Sequence, residues 1–171
     1  MKRYALLLGL LLPAAVWGQG KPIQVSLFSP AQLVSPDESI NGLRLNLIYG
    51  INRDLVGLDV GLVNKLTGDL TGLQYGLVNL VDGNATGIQY GLVHIVGGDF
   101  VGWQDGFVSI THGSFTGFQG ISAYNSAGDM NGFQLGLINF TEQLNGLQIG
   151  LLNFNKSGEP YGFLPIINFA F

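Results

Sequence analysis

The chain has no cysteine among its 171 residues. Disulfide bridges, thiolate metal sites and lipid attachment through a cysteine are therefore excluded. Histidine is nearly absent as well, with two copies, His94 and His112. Two imidazoles without clustered carboxylates do not complete a familiar metal site, so we expect no metal and no metal ligand.

Charged residues make up only 11% of the chain, and acidic residues outnumber basic ones. From Gln19 onward there are five basic and eleven acidic residues, a net charge of −6. An acidic surface without a basic patch repels phosphate backbones, so we expect no nucleic-acid partner. The chain is 47% hydrophobic, which argues against a disordered protein.

The N-terminal apolar run, Ala5 to Val16, is shorter than the roughly 20 residues that a membrane-spanning helix needs. Lys2 and Arg3 precede it and small residues follow it, which is typical of a secretory signal peptide. We predict a signal peptide over residues 1–18 with cleavage before Gln19. We expect an exported chain that is not a lipoprotein, because no cysteine follows the apolar run.

Enzyme motifs are also missing from the sequence. There is no G-x-S-x-G elbow, no G-x-G-x-x-G loop and no P-loop. The segment "GGDF" at 97–100 is only a fragment of the calcium-binding repeat pattern. We therefore expect a non-enzymatic protein with no catalytic residue, no cofactor and no cofactor-binding residue.

Glycine, by contrast, is abundant, and its spacing is regular. Seven glycines lie fifteen residues apart, from Gly42 to Gly132, and the series continues at 146 and 162. In the copy that begins at Gly72, Gln74, Gly76 and Asn79 follow, and most other copies repeat this order. The chain therefore consists mainly of copies of one motif, G-Φ-Q-x-G-Φ-Φ-N-Φ, where Φ is apolar.

Each copy has the composition of a β-strand followed by a turn. Leu, Ile, Val, Phe and Tyr dominate, and clusters such as "VDGN" and "VGGD" separate them. A helix is disfavoured, because two glycines in every copy would each cost roughly 1 kcal/mol. One strand of about eight or nine residues plus a turn fills the period.

Two architectures satisfy this pattern. In a parallel β-solenoid of about nine coils, equivalent positions stack about 4.8 Å apart, leucine ladders form the core, and glutamine and asparagine ladders link the coils. In the alternative, an antiparallel up-and-down outer-membrane β-barrel, each copy is one strand, and the terminal Phe171 resembles a recognition signal of such barrels. We favour the solenoid, because parallel coils place like residues on like residues and antiparallel neighbours have no such requirement.

The predicted organisation has four parts. They are a signal peptide (1–18), an N-terminal strand and capping loop (19–41), the array of fifteen-residue repeats (42–161) and a C-terminal capping strand (162–171). Pro160 and Pro165 near the C-terminus are expected to end strand pairing there.

Four polar residues depart from the consensus. His94 stands at an asparagine position and His112 in a turn, while Asp59 and Asp105 stand where other copies have glutamine and tyrosine. We interpret His94 as a polar replacement, His112 as a solvated turn residue, and the two aspartates as exposed substitutions. A cation site is the alternative for the aspartates.

Aromatic residues concentrate in the middle copies, at Trp103, Phe107, Phe115, Phe118 and Phe133. We expect them to fill a wider core. A sugar- or lipid-binding face is the alternative.

The iterated "GLQYGLVN" and "GLQIGLLN" and the closing "FLPIINFAF" resemble the bacterial surface repeat-containing proteins first grouped in spirochaetes. The resemblance covers about residues 22 to 171. It implies an exported protein of the cell envelope, surface or outer membrane, and it carries over no catalytic residue.

We therefore expect a structural or adhesion scaffold with a surface or envelope partner of unknown chemistry. The alternative is a small outer-membrane barrel, structural or forming a narrow pore. The sequence leaves membrane association and the oligomeric state open.

Overall fold

A computed structural model describes residues 20–171, and the predicted signal peptide lies outside the described residues. The described chain is all-β. Its strands are β1 (Lys21–Phe28), β2 (Ala31–Gln32), β3 (Ile40–Asn52), β4 (Leu55–Leu66), β5 (Leu70–Val81), β6 (Ala85–Val96), β7 (Phe100–Asp105), β8 (Val108–Thr111), β9 (Phe115–Asn155) and β10 (Phe163–Ala170). Within residues 20–171 there is no helix long and apolar enough to cross a membrane.

Successive coils stack in parallel, and the offset between paired residues is fifteen in the central coils. From β4 to β6 each residue pairs with the residue fifteen positions later, so that Gly57 lies beside Gly72 and Gly72 beside Gly87. The same offset joins β6 to β7 and β8. This pairing confirms the predicted parallel β-solenoid, and the antiparallel up-and-down alternative is wrong.

The number of coils is smaller than the glycine count indicated. Eight glycines, from Gly42 to Gly146, share one unusual backbone conformation and mark successive coils; we call them the register glycines. They delimit about seven turns, fewer than the nine expected. Gly162 does not belong to the series, because the strand that follows it, β10, pairs antiparallel with β9.

The register glycines are required by backbone shape and by close contact between coils. Their φ angles lie between +133° and +148°, a range that residues with a side chain rarely adopt. A Cβ atom on Gly87 would lie 1.9 Å from the carbonyl oxygen of Gly72 in the preceding coil. The fifteen-residue period of glycine in the sequence therefore reflects one tight contact repeated in every coil.

Equivalent positions in successive coils form columns of side chains, and two apolar columns lie on either side of the turn that joins the coils. One of them precedes the register glycines by two residues and includes Leu70 and Phe100. The other includes Val81 and Val96. Columns of glutamine and asparagine, also fully buried, occupy the rest of the interior.

The leucines just after the register glycines face outwards, so the expectation that leucine ladders form the core holds only in part. Leu73 is 38% exposed and Leu77 is 49% exposed. The reason is the alternation of a β-strand: Gln74 and Gly76 take the inward positions, and their neighbours point to the outside.

The aromatic residues divide between the interior and the surface. Phe115 is fully buried, whereas Trp103 is 50% and Phe107 63% exposed. Phe118 stacks on Phe133 at a ring-centroid distance of 5.4 Å, and both are half-buried on the outer side. The predicted wider core is therefore wrong for Trp103 and Phe107.

The two ends of the solenoid are covered differently. At the N-terminal end β1 pairs in parallel with β3, and β2 folds back antiparallel on β1. There the buried Gln24 accepts a hydrogen bond from the backbone N–H of Val34 at 2.7 Å. At the C-terminal end β10 adds one reversed strand. At both ends an antiparallel strand replaces the next parallel coil, so the edge on which another copy of the repeat could pair is covered.

Replacing Gly87 by alanine is expected to lower the free energy of unfolding by about 3 kcal/mol or more, because the backbone conformation is strained and the new methyl group meets a carbonyl oxygen. Gly158 is the matched control, since its φ is +78° but no atom lies within 4 Å of its Cβ position. Gly158→Ala should cost only about 1 to 2 kcal/mol. Urea unfolding measures both losses, and equal losses would contradict the close-contact explanation.

Candidate functional site: the buried amide ladders

Six glutamines form one hydrogen-bonded chain through the interior. Five of them donate from Nε2 to Oε1 of the glutamine one coil nearer the N-terminus, over 2.7 to 2.9 Å. The members are Gln148, Gln134, Gln119, Gln104, Gln89 and Gln74. All six side chains are fully buried. Because the amides point the same way, each bond polarises and strengthens the next.

This glutamine chain ends on a carboxylate. Gln74 donates to Asp59 Oδ2 at 2.9 Å, and Arg44 donates to both Asp59 oxygens, from Nε at 2.8 Å and from Nη2 at 2.7 Å. Asn46 adds a fourth bond at 3.1 Å. The side chains of Arg44 and Asp59 are 0% exposed. The bidentate pair and the amide donors together compensate the burial of both charges.

Asp59 is therefore not an exposed substitution, and that expectation is overturned. Asp59 lies directly between Arg44 and Gln74 in one column, because each follows its register glycine by two residues. Sequence analysis missed Arg44 as its partner. The shared distance from Gly42 and Gly57 was the signal that would have found it.

A chain of asparagines runs beside the glutamines with the opposite polarity. Asn46 donates to Asn64 at 2.8 Å and Asn64 to Asn79 at 2.9 Å, so the donors lead towards the C-terminal coils. Asn139 donates to Asn153 in the same direction at 2.8 Å. The amide dipoles of the two chains therefore oppose each other along the axis.

His94 reproduces two of the hydrogen bonds of the asparagine that it replaces, but not the bond to the following coil. Its Nδ1 lies 3.2 Å from Asn79 Nδ2, and its Nε2 lies 2.8 Å from the carbonyl oxygen of Asp105. The amide group donates and the carbonyl accepts, so the ring is neutral with its proton on Nε2. Burial lowers the pKa of His94 to about 4, against the opposing effect of the bond to Asp105. The prediction of a polar replacement is confirmed.

The asparagine chain is interrupted beyond His94. Ser109 and Asn125 are register partners, but Ser109 Oγ and Asn125 Oδ1 have no hydrogen-bond partner. Asn125 follows Ser109 by sixteen residues, so the fifteen-residue period pointed to Tyr124 and missed Asn125. One extra residue between β8 and this part of β9 accounts for the shift.

Aspartates at the turns have a repeated capping role. Asp54 Oδ1 accepts a hydrogen bond from the backbone N–H of Asp69 at 3.0 Å, and Asp69 Oδ1 accepts one from Asn84 at 2.7 Å. Asp99 Oδ1 accepts one from Ser114 at 2.8 Å. The turn acids thus tie each turn to the next.

The remaining candidate residues are not brought together. His112 lies exposed in its turn, and Asp105 lies half-exposed on the outer side, beside Tyr90. Asp59 is inside the solenoid, so the two strand aspartates do not form a shared cation site. In the part of the chain that the structure describes, no three His, Cys, Asp or Glu side chains are grouped to hold a metal ion.

Partial burial raises the pKa of the Asp54 carboxyl, but hydrogen bonds from the Asp69 N–H, Ser39 and Arg53 outweigh it. The net result is a pKa below the usual aspartate value. Asp54 is therefore held as a carboxylate, the form that accepts the bond from the next turn.

Taken together, the buried polar side chains bind one another and are sealed from solvent, so their chemical role is to join the coils. Neither a protein-family model, nor a curated protein, nor a solved structure matches this chain significantly. Inference about function therefore rests on the ladders and on the outer surface.

Asp59→Asn is expected to destabilise the protein by about 3 to 5 kcal/mol, because it leaves the Arg44 charge buried without a counterion. The double variant Arg44→Gln with Asp59→Gln extends the glutamine chain by two members and should recover most of that loss. Urea unfolding of the two variants and the wild type measures the difference. A double variant as unstable as Asp59→Asn would contradict the ladder interpretation.

Stability should also depend on pH through His94. Its pKa is about 4 when folded and 6.5 in an unperturbed histidine, so between these values the unfolded chain binds the additional proton. Stability contributed by the neutral ring is present above pH 6.5 and falls by about 3 kcal/mol as the pH decreases towards 4.

Urea unfolding between pH 4.5 and 7.5 (roughly the window that the two pKa values set) tests this dependence. His94→Asn should remove that part of the slope, whereas His112→Asn, in an exposed turn, should retain it. An unchanged slope in His94→Asn would show that other groups govern acid stability.

Proposed function

We propose that this protein is an exported, non-enzymatic scaffold of a bacterial cell envelope, whose stacked coils present repeated side chains to a surface partner. The observation that carries the proposal is that the buried polar side chains hydrogen-bond between coils and are closed to solvent. Those with catalytic potential, Asp59 and His94, are fully buried and hydrogen-bonded within the ladders. The repeated outer columns are then the surface available for interaction.

The form of the molecule suits a scaffold. Seven coils at about 4.8 Å each make a rod of roughly 34 Å. In the glutamine chain every buried amide is hydrogen-bonded to the next coil, and a satisfied buried network of this kind favours a single rigid arrangement. On the outside, like side chains recur at the coil spacing, as in the stacked rings of Tyr75 and Tyr90, whose centroids are 5.7 Å apart.

The N-terminal sequence and the family resemblance support an envelope location. Residues 1–18 have the charge and apolar pattern of a signal peptide. The iterated motif resembles bacterial surface repeat proteins. A narrow pore is not proposed, because packed side chains fill the interior of the described coils.

Expression of the full chain in a bacterial host, followed by fractionation and intact-mass measurement, tests the proposal. We expect the protein in the envelope fraction with its N-terminus at Gln19. A variant without residues 2–18 is the matched control and should stay in the cytosol. Retention of the full chain in the cytosol would contradict the proposal.

A further inference from the structure

The outer surface has an apolar edge where each coil turns. The strand changes direction at Leu77, because Gly76 and Val78 pair with the next coil and Leu77 does not. As a result, the consecutive side chains of Leu77 and Val78 both point outwards. We call the column through Leu77, five residues after the register glycines and running from Leu47 to Leu151, the apolar edge. Its leucine and phenylalanine side chains are between 48% and 67% exposed. In the coil of Gly117 the corresponding residue, Ser122, is buried, and the neighbouring Ile121 is 74% exposed instead. Outward apolar residues lie on both sides of the edge, such as Tyr75 before Leu77 and Val78 after it.

A shallow groove follows the apolar edge along the axis. Near the middle, Gly76 and Gly91 form its floor, and Tyr75 and Tyr90 face Leu77 and Leu92 across it in a hollow of about 350 Å³. Similar hollows of about 530 and 590 Å³ lie towards the N-terminal and C-terminal ends. Because glycine has no side chain, the floor stays open for a slender apolar ligand.

Charged residues lie away from this edge. The turns on the opposite side carry a charged corner that runs along the rod, formed by Asp54, Asp69, Asp82, Asp99, Asp129 and Glu142. Most other charged residues belong to the two ends or to the buried pair. Lys65 is bonded to Asp82, which leaves Asp105 as the one charge beside the groove among the described residues.

The separation of apolar residues on the apolar edge from carboxylates on the charged corner indicates what kind of partner covers the apolar edge. The apolar strip spans about seven residues of each coil, or roughly 23 Å, over a length of roughly 34 Å. That area, near 800 Å² by order of magnitude, exceeds the largest apolar patch of a typical monomer. Two outward faces meet at this edge, because the coil turns at Leu77. A rigid second copy packed on one face would leave the other exposed, whereas fluid hydrocarbon covers both.

We propose that the apolar edge inserts into the acyl region of a lipid bilayer, with the rod axis parallel to the membrane plane. The inference names the partner of the scaffold proposed above and rests on that proposal. The axis lies in the plane because the charged corner runs the full length, and a transverse rod would draw those carboxylates through hydrocarbon. With a net charge of −6 after the signal peptide, the rod prefers zwitterionic to anionic lipid.

Vesicle co-flotation of the purified chain tests the proposal and does not depend on export, so its outcome is separate from that of the fractionation experiment. We expect flotation with phosphatidylcholine vesicles that persists in 1 M NaCl (a concentration at which the screening length is about 3 Å). Addition of phosphatidylglycerol should weaken binding at low salt. Circular dichroism checks that each variant is folded.

Leu77→Glu with Leu92→Glu, at exposed positions of the apolar edge, should reduce vesicle binding at least about tenfold. Thr71→Glu with Thr86→Glu is the matched control in the same coils, outside the groove, and should bind like the wild type. Asp105→Asn should increase binding about threefold, because it removes the charge beside the groove.

Three results would overturn the proposal. One is no flotation of the wild-type chain, and another is flotation that the Leu77 and Leu92 substitutions leave unchanged. The third is a dimer, seen by analytical ultracentrifugation, that these substitutions dissociate while the wild type fails to float. That outcome would assign the edge to a second copy of the chain.

Discussion

Hydrogen bonds between amide side chains along the axis are the interaction on which the rest of this structure depends. A buried amide that lacks a partner costs about 1 to 3 kcal/mol. In this solenoid the partner of Gln89 is Gln74 in the coil before it and Gln104 in the coil after it. The requirement is met only if successive coils keep the same register and the same residue type, and this explains why the sequence repeats itself.

The need of each buried amide for a hydrogen-bond partner also explains the residues that depart from the repeat. A chain of amides with one polarity ends on a donor that needs an acceptor, and Asp59 is that acceptor, held by Arg44. His94 fits within the asparagine chain because its two nitrogens take the roles of the amide oxygen and the amide nitrogen. Serine cannot do so at position 109, and Ser109 Oγ and Asn125 Oδ1 are left without hydrogen-bond partners.

The composition of the surface follows from that of the interior. Glutamine, glycine and asparagine take the inward positions on one side of each coil, so strand alternation turns the leucines and tyrosines between them outwards. The most polar part of the interior therefore lies beneath the most apolar part of the surface. Buried polar groups and large exposed apolar patches are the informative departures from ordinary burial, and here they have one cause.

The sequence was sufficient for the parallel stacking, because glycine and glutamine recur with a fixed period and only parallel coils benefit from that. It was also sufficient to predict that His94 takes the position of an asparagine. It was insufficient for Asp59, because a charged residue in a strand is usually exposed. The burial of Asp59 is tolerated because Arg44 in the adjacent coil forms a buried ion pair with it. Asn125 was missed because one extra residue shifts the period, and the reversal of β10 was missed because strand direction leaves no mark in composition.

The central claim, that equivalent residues stack coil on coil, is tested most directly by a series of distances. The chain has no cysteine, so spin labels can be placed in pairs at Val56, Thr86, Thr116 and Asn145, which occupy one outer column. From a label at 56, the account predicts distances that rise linearly by about 4.8 Å per coil, to roughly 29 Å at position 145. Distances that alternate between short and long, or that fail to rise with coil number, would contradict it.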